Sequence, residues 1–381
     1  QQAPFLEGPE LEGDELEAFG NPVETVETDS IYEHCRRAIE RGLTSGPHGL
    51  PLIGGGDWND GLNRVGAEGK GESVWLAWFL IEVLNRFADL SESYGDLDHA
   101  AAYRNRAEGL AETVEWQAWD GDWYRRAYCD DGSVIGSQAN DEARIDSLPQ
   151  SWAEISQGAQ PERIERALES AWQHLVRPED RLVLLYTPPF DVSSIEPGYI
   201  KAYPPGVREN GGQYTHAAIW LGVAYARQGN AERASQLLRL LNPVERTSEP
   251  DLVRTYTVEP YVIPADVYAL PGKVGLGGWT WYTGSAGWLY RAWIEEILGL
   301  KIRGRTLFLD PVIPSSWNSF HIRYRHQEAI YEINVENPLG RNTGVAKVEV
   351  DGRQIAGGQI QLEEIPIKHH VRVILGDPEH A

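Results

Sequence analysis

Apolar residues recur at three- and four-residue intervals through most of the chain before Gly299, and at alternate positions after it. The first spacing predicts helices at 30–43, 73–89, 100–116, 147–156, 161–174, 212–228, 231–241 and 285–298. In the first of them Ile31, Tyr32, Cys35, Ala38 and Ile39 share a face, Ser30 stands at the N-cap, and Glu33 completes a capping box. Trp75, Trp78 and Phe79 share a face of the second and read as core. Loops rich in Gly, Pro and aromatics separate the helices, notably at 45–71, 186–211 and 271–284. Helical hairpins with long loops gathered at one end make residues 30–299 a mainly α region. Beyond it, short alternating segments at 307–309, 321–325, 329–335, 346–350 and 371–375 predict a small β-sheet or sandwich module over 300–381. Asp351-Gly352 and Gly357-Gly358 give its hairpin signals. Residues 1–29 hold nine acidic and no basic side chains among Pro and Gly, and read as an extended acidic lead-in.

Composition narrows the function classes. A chain of 381 residues is long enough for a sizeable core without disulfides or metals. Its two cysteines exclude a disulfide framework and a cysteine-based zinc module. The longest wholly apolar run, Val74 to Ile81, is eight residues, against the ~20 a helix needs to cross a bilayer. A net charge of −23 (34 basic against 57 acidic side chains) excludes nucleic-acid binding by bulk electrostatics, although a few local donors can still hold a small anion. Trp outnumbers Phe by 14 to 7, which suits a core or a cleft that stacks on sugar faces. Methionine is absent, so Gln1 reads as the end of a trimmed, processed or cut chain.

Three clusters carry chemistry. In the first, GGGDWNDGLN at 54–63, glycines allow close backbone approach to a ligand while Asp57, Trp58, Asn59 and Asp60 project from the loop. A carboxylic acid held there in a partly apolar pocket can protonate a leaving oxygen. The same residues also suit a turn whose Asp and Asn bond backbone amides; a calcium loop lacks its EF-hand spacing and terminal Glu. The second cluster, RENGGQYTH at 208–216, precedes an apolar helix. Its donors suit an anion such as phosphate, or else Asn210 and Thr215 cap the helix while His216 is a core histidine. The third, GGWTWYTGSAG at 277–287, opens another helix: its hydroxyls and amides suit phosphate and its aromatics a sugar wall, or its glycines serve packing with Ser285 as N-cap. Glu259, in VEPYVIPAD, adds a carboxylate. His369-His370 reads as a surface pair, and GxGxxG, P-loop, GxSxG and HExxH motifs are absent.

Taken in order, GLPLIGGGDWNDGLNRVGAEGKGESVWLAWFL, GVRENGGQYTHAA, VEPYV and GGWTWYTGSAGWLYR resemble glycoside hydrolase family 94, the inverting β-glucoside phosphorylases. Within that family the chain resembles the C-terminal phosphorylase-like region of cyclic β-1,2-glucan synthases. The likeness runs from PFLEG near the start to VENP at 335–338. It implies an (α/α)6-type barrel portion followed by a β-rich segment, with reversible phosphorolysis of a β-linked glucan, β-1,2 in this case, to α-glucose 1-phosphate. Inorganic phosphate is the nucleophile, so one acid suffices and no cofactor beyond this co-substrate is needed, whereas an inverting hydrolase needs a second carboxylate to activate water. By motif position Asp60 resembles the general acid. His216, Thr283, Gly284 and Ser285 resemble the phosphate site. Trp58, Glu209 and Glu259, joined by Gln213 and Tyr214, resemble contacts to the donor glucosyl unit or the phosphate edge, and Asp57 resembles a loop organiser or a sugar ligand. Complete members are longer, and their upstream sequence supplies the rest of the barrel; it is the partner the resemblance implies, along with a second copy in a homodimer. The implied location is the cytoplasm or the cytoplasmic region of a membrane-associated synthase. A sugar-binding fragment without catalysis and a plain inverting β-glucan hydrolase are the rival readings.

Overall fold

The structure is a computed structural model and describes residues 1–10, 18–281 and 283–377. Helix starts follow their caps. Ser30 Oγ accepts from Glu33 N at the start of α1 (Ile31–Gly42), and Ser73 Oγ accepts from Leu76 N at the start of α2 (Val74–Tyr94). Gly95, in the left-handed region at φ 90°, ends α2, and Asp96 caps α3 (Leu97–Gln117), so the two long helices form a tight hairpin. Asp146 Oδ1 accepts from Leu148 N to cap α4 (Ser147–Ile155). Next come α5 (Pro161–Leu175), α6 (Thr215–Arg227) and α7 (Ala231–Leu241). Nearly every residue of α6 is buried, as expected of a helix apolar on all sides. Two short helices, α8 (Pro243–Arg246) and α9 (Pro250–Tyr256), interrupt a stretch read as loop. The last, α10 (Thr283–Arg291), packs on α6 and continues as a π-turn over Ala292–Ile297.

The region is not all-helical as its periodicity suggests. The chain is 37% helix and 22% strand, and the described helices close no barrel. Two-residue ladders stitch the long loops together: Glu72–Ser73 with Ala127–Tyr128, Ile145–Asp146 with Tyr186–Thr187, and Gln213–Tyr214 with Asp266–Val267. A ladder of two residues leaves no alternation to read in sequence. The stretch read as an extended lead-in forms an antiparallel ribbon, Gln2–Glu7 with Val23–Ser30.

Past Gly299 the C-terminal strands form a three-stranded sheet (Leu300–Arg303, Thr306–Leu309, Ile360–Gln361) and a five-stranded one. The second runs Ser319–His326, Ala329–Glu336, Lys368–Leu375, Val345–Val350, Arg353–Gln354, with the second and third strands parallel and the other pairs antiparallel. Ala329, Tyr331, Ile333 and Val335 alternate inward beside Val371, Val373 and Leu375. Asp351-Gly352 makes the hairpin turn its dipeptide signals, but Gly357-Gly358 links the two sheets instead. His369 is not a surface residue: it is buried, stacks on Tyr331, and pairs through Nδ1 with Asp351.

Candidate functional site

The N-terminal ends of α2, α4, α6 and α10 carry the three motifs and the loops that brace them. Glycine is required at position 56 (φ 127°), where a Cβ would stand 3.1 Å from the Asp60 Cα because the loop folds back on itself. The loop closes in a single turn over Asp60–Leu62, with Asn59 Oδ1 accepting from Gly61 N at 3.1 Å. It docks on residues 197–200: Asn63 Oδ1 accepts from Tyr199 N, and Arg64 N donates to Pro197 O.

The two aspartates of the motif have opposite surroundings. Asp57 has a fully buried side chain. Its oxygens accept from Arg126 Nη1 and Nη2 at 2.7 Å each, from Ser73 Oγ at 2.6 Å and from Asn59 N at 2.9 Å. Burial pushes its carboxyl up, but the Arg126 charge and these bonds outweigh burial and hold it below the usual carboxylate range. With both oxygens taken up, Asp57 organises the loop and is not the sugar ligand expected of it. Asp60 is exposed, and its carboxylate receives no hydrogen bond among the described residues. Burial raises the Tyr199 phenol, and the charges of Asp60, Glu209 and Tyr203 raise it further against the lowering by Arg208.

Trp58 carries the junction deeper. Its ring meets Tyr214 at 5.3 Å and His216 at 5.4 Å, both edge-on, and Trp220 at 5.3 Å. His216 lies over Trp220 at 4.4 Å, and burial pulls its pKa down to about 4, so the imidazole is neutral at pH 7. Its Nε2 is buried and has no hydrogen-bond partner among the described residues. Gly284 faces the same ring: a Cβ there would be 3.6 Å from Nδ1. Gly284 and the buried Ser285 lie in the first turn of α10, so Ser285 is not the cap. The side chain of Thr283 lies outside the described residues, as does Tyr282.

Gln213 and Asn210 are supports rather than site-facing groups. Gln213 is buried; its Oε1 accepts from Val183 N and Arg246 Nη2, and its Nε2 donates to Thr215 Oγ1. That removes it from the sugar contacts expected of it. Asn210 does not cap α6. It accepts from Tyr186 Oη and Phe190 N at 2.8 Å each and donates to Phe190 O and Tyr203 O, which fixes the Glu209 loop. Arg208 pairs with Glu209 at 3.3 Å and stacks on Tyr203 and Trp279. The buried Asp266 accepts from Trp279 N, and Gly278 is glycine because a Cβ would stand 2.3 Å from that carboxylate. Glu259 accepts from Trp281 Nε1 at 3.1 Å, so its contact is with the third motif rather than the Asp60 loop. Arg126, Asp146, Asp266 and Tyr199 escape a sequence reading because each is defined by partners far along the chain. The only signal for Arg126 is a pair of adjacent arginines in a loop of an acidic chain. Among the described residues no group of three or more His, Cys, Asp or Glu is placed to hold a metal, and no helix is long and apolar enough to cross a membrane.

Residues 10–299 match the glycosyl hydrolase 94 superfamily, catalytic domain. The chain is 47% identical to the cyclic beta-(1,2)-glucan synthase NdvB of Rhizobium meliloti (strain 1021), over 88% of this chain and 12% of that protein. It is 30% identical to the solabiose phosphorylase of Paenibacillus borealis, covering 90% of this chain and 44% of the relative. It is also 30% identical to the N,N'-diacetylchitobiose phosphorylase of Vibrio furnissii, covering 91% and 42%. It therefore spans less than half the length of these curated relatives. A solved structure described as a sialidase shares the fold at a TM-score of 0.54 and 16% identity, covering 77% of this chain and 26% of that one. On the match across its helical region and these identities, the chain belongs to the glycosyl hydrolase 94 superfamily.

Proposed function

We propose that the chain carries the phosphorolytic half-site of a β-glucan phosphorylase, acting on a β-1,2-glucan and releasing α-glucose 1-phosphate with inversion. The observation that carries this reading is a neutral His216 whose buried Nε2 has no partner among the described residues, whose ring lies edge-on to Trp58 of the Asp60 loop, and whose Nδ1 side faces Gly284 in the first turn of α10. A phosphate oxygen attacks the anomeric carbon on the face opposite the glycosidic oxygen. The carbon–oxygen bond to the leaving glucan breaks, and the Asp60 carboxyl gives its proton to that oxygen. His216, Thr283 and the Gly284 and Ser285 amides hold the phosphate; a neutral imidazole serves as a hydrogen-bond donor without a fixed charge. Trp58, Glu209, Tyr214 and Glu259 contact the sugar, while Asp57 and Gln213 brace the loops from behind.

In this reading residues 30–299 form a portion of an (α/α)6 barrel with the β-rich module 300–381 attached and 1–29 leading in. Upstream sequence completes the barrel and covers Asp60, on the cytoplasmic side and in a homodimer. Phosphate is the co-substrate, and no other cofactor takes part. Incubating β-1,2-glucan with phosphate and this chain, alone and together with the upstream region, tests the reading. Phosphate-dependent α-glucose 1-phosphate supports it. Phosphate-independent glucose release identifies a hydrolase, and glucan binding without either product a non-catalytic fragment. His216→Ala is expected to raise the KM for phosphate at least about tenfold, the effect of a lost buried hydrogen bond to an anion, and to leave the glucan KM unchanged. An equal rise in both KM values removes His216 from the phosphate site.

A further inference from the structure

Arg126 lies in no motif, yet its side chain is fully buried between Asp57 of the Asp60 loop and Asp146 at the start of α4. One edge of the guanidinium grips Asp57 through both Nη atoms, and Nε stands 3.4 Å from Asp146 Oδ2 on the other side. From Asp57 the connection continues through Asn59 N to Asp57 Oδ1 and Gly61 N to Asn59 Oδ1, bracketing the backbone of Asp60. From Asp146 it continues across the ladder to Tyr186, whose hydroxyl donates to Asn210, the neighbour of Glu209. Ser73 ties the same node to the start of α2, and Asp146 ties it to the start of α4.

A buried ion pair adds little net stability over an apolar packing of the same volume, because desolvation of the charges offsets their attraction. What it adds is direction: the planar fork holds the Asp57 carboxylate with two hydrogen bonds, while its Nε edge lies within ion-pair range of Asp146 without a hydrogen bond. Resting on the phosphorolytic reading above, we infer that Arg126 is a positioning residue, which through Asp57 and Asp146 holds the Asp60 loop in register with the Glu209 loop. It touches no substrate. A lysine keeps the charge but reaches only one of the two carboxylates.

Hydrogen–deuterium exchange on the 381-residue chain tests this directly with Arg126→Lys and Asp57→Asn. Exchange across 54–63 is expected to accelerate about tenfold or more, the effect of losing a buried charge-assisted hydrogen bond, while α6 keeps its protection. In the form that makes glucose 1-phosphate, kcat falls at least about tenfold for the same reason, and both KM values hold. Unchanged exchange at 54–63 overturns the assignment. So does a uniform rise over the whole chain with kcat and KM moving together, since that reports a merely structural residue. If Arg126→Lys does not fold, the near-isosteric Asp57→Asn, which leaves Arg126 its Asp146 partner, decides the matter alone. If the unaltered protein makes no glucose 1-phosphate, the phosphorolytic reading fails, and the exchange measurement still decides whether Arg126 holds the loop.

Discussion

The loops at the motif-bearing end of the helices and the C-terminal sheet are held by different forces. In the loops, buried polar side chains take up backbone amides and one another: Asp57 with Arg126, Asn210 with Phe190 and Tyr203, Asp266 with Trp279. In the five-stranded sheet, alternation places Tyr331, Ile333, Val335, Val371 and Val373 inward with the buried His369 beside Tyr331, and pairs such as Arg372 with Glu336 lie on the outer face. Apolar packing is undirected and tolerates small changes of shape, whereas a buried charge depends on one partner in one place. The motif-bearing loops use the directed kind.

The contrast is broken most forcefully at its charged node. Asp57→Ala strips a buried guanidinium of its two-pronged partner, leaving Asp146 at 3.4 Å as its counter-charge, and is expected to cost about 3–5 kcal/mol in urea unfolding. A loss below that of a conservative sheet substitution would erase the distinction between the regions.

A pH series sharpens it. Burial raises the Asp146 carboxyl to about 6, despite Arg126 nearby, against an ordinary value of 3.8. Its contribution to stability is therefore full below 3.8 and lost as pH rises through 6. His216 works the other way: with its pKa lowered from 6.5 to about 4, its contribution is full above 6.5 and lost as pH falls through 4. The two oppose each other across the same window. Asp146→Asn removes the offset, so the Tm of that variant should fall more steeply than that of the unaltered protein between pH 6 and 4. Parallel curves would show that Asp146 ionises normally in the fold.

The smallest effect belongs to the sheet. Ile333→Val, a fully buried change of one methylene, should cost about 0.5–1.5 kcal/mol by the same unfolding measurement.

What the sequence makes legible follows from the range of the forces involved. Ser30 and Ser73 mark helix starts because a cap acts on an amide three residues away. Alternation in 329–335 shows a one-faced strand because side-chain direction is local. The parallel pairing of that strand with Lys368–Leu375 is not legible, since nothing local encodes it. The site divides the same way. Asp60, Trp58 and His216 lie in motifs with a recognisable resemblance, and the fold brings Trp58 against His216. Arg126 acquires its meaning only from Asp57, 69 positions away. Gln213 looks like a ligand by residue type and Asn210 like a helix cap, and burial turns both into braces.

In the proposed reaction Asp60 supplies the proton for phosphate-dependent cleavage. Its most direct test is the rate of α-glucose 1-phosphate formation from β-1,2-glucan and phosphate by the protein with its upstream region, compared with Asp60→Asn. Asp60 is exposed and serves as no brace among the described residues, so the variant should fold with an unchanged Tm. The prediction is a loss of at least about a hundredfold in kcat, the lower range for removal of a general acid. Turnover near that of the unaltered protein would contradict the claim.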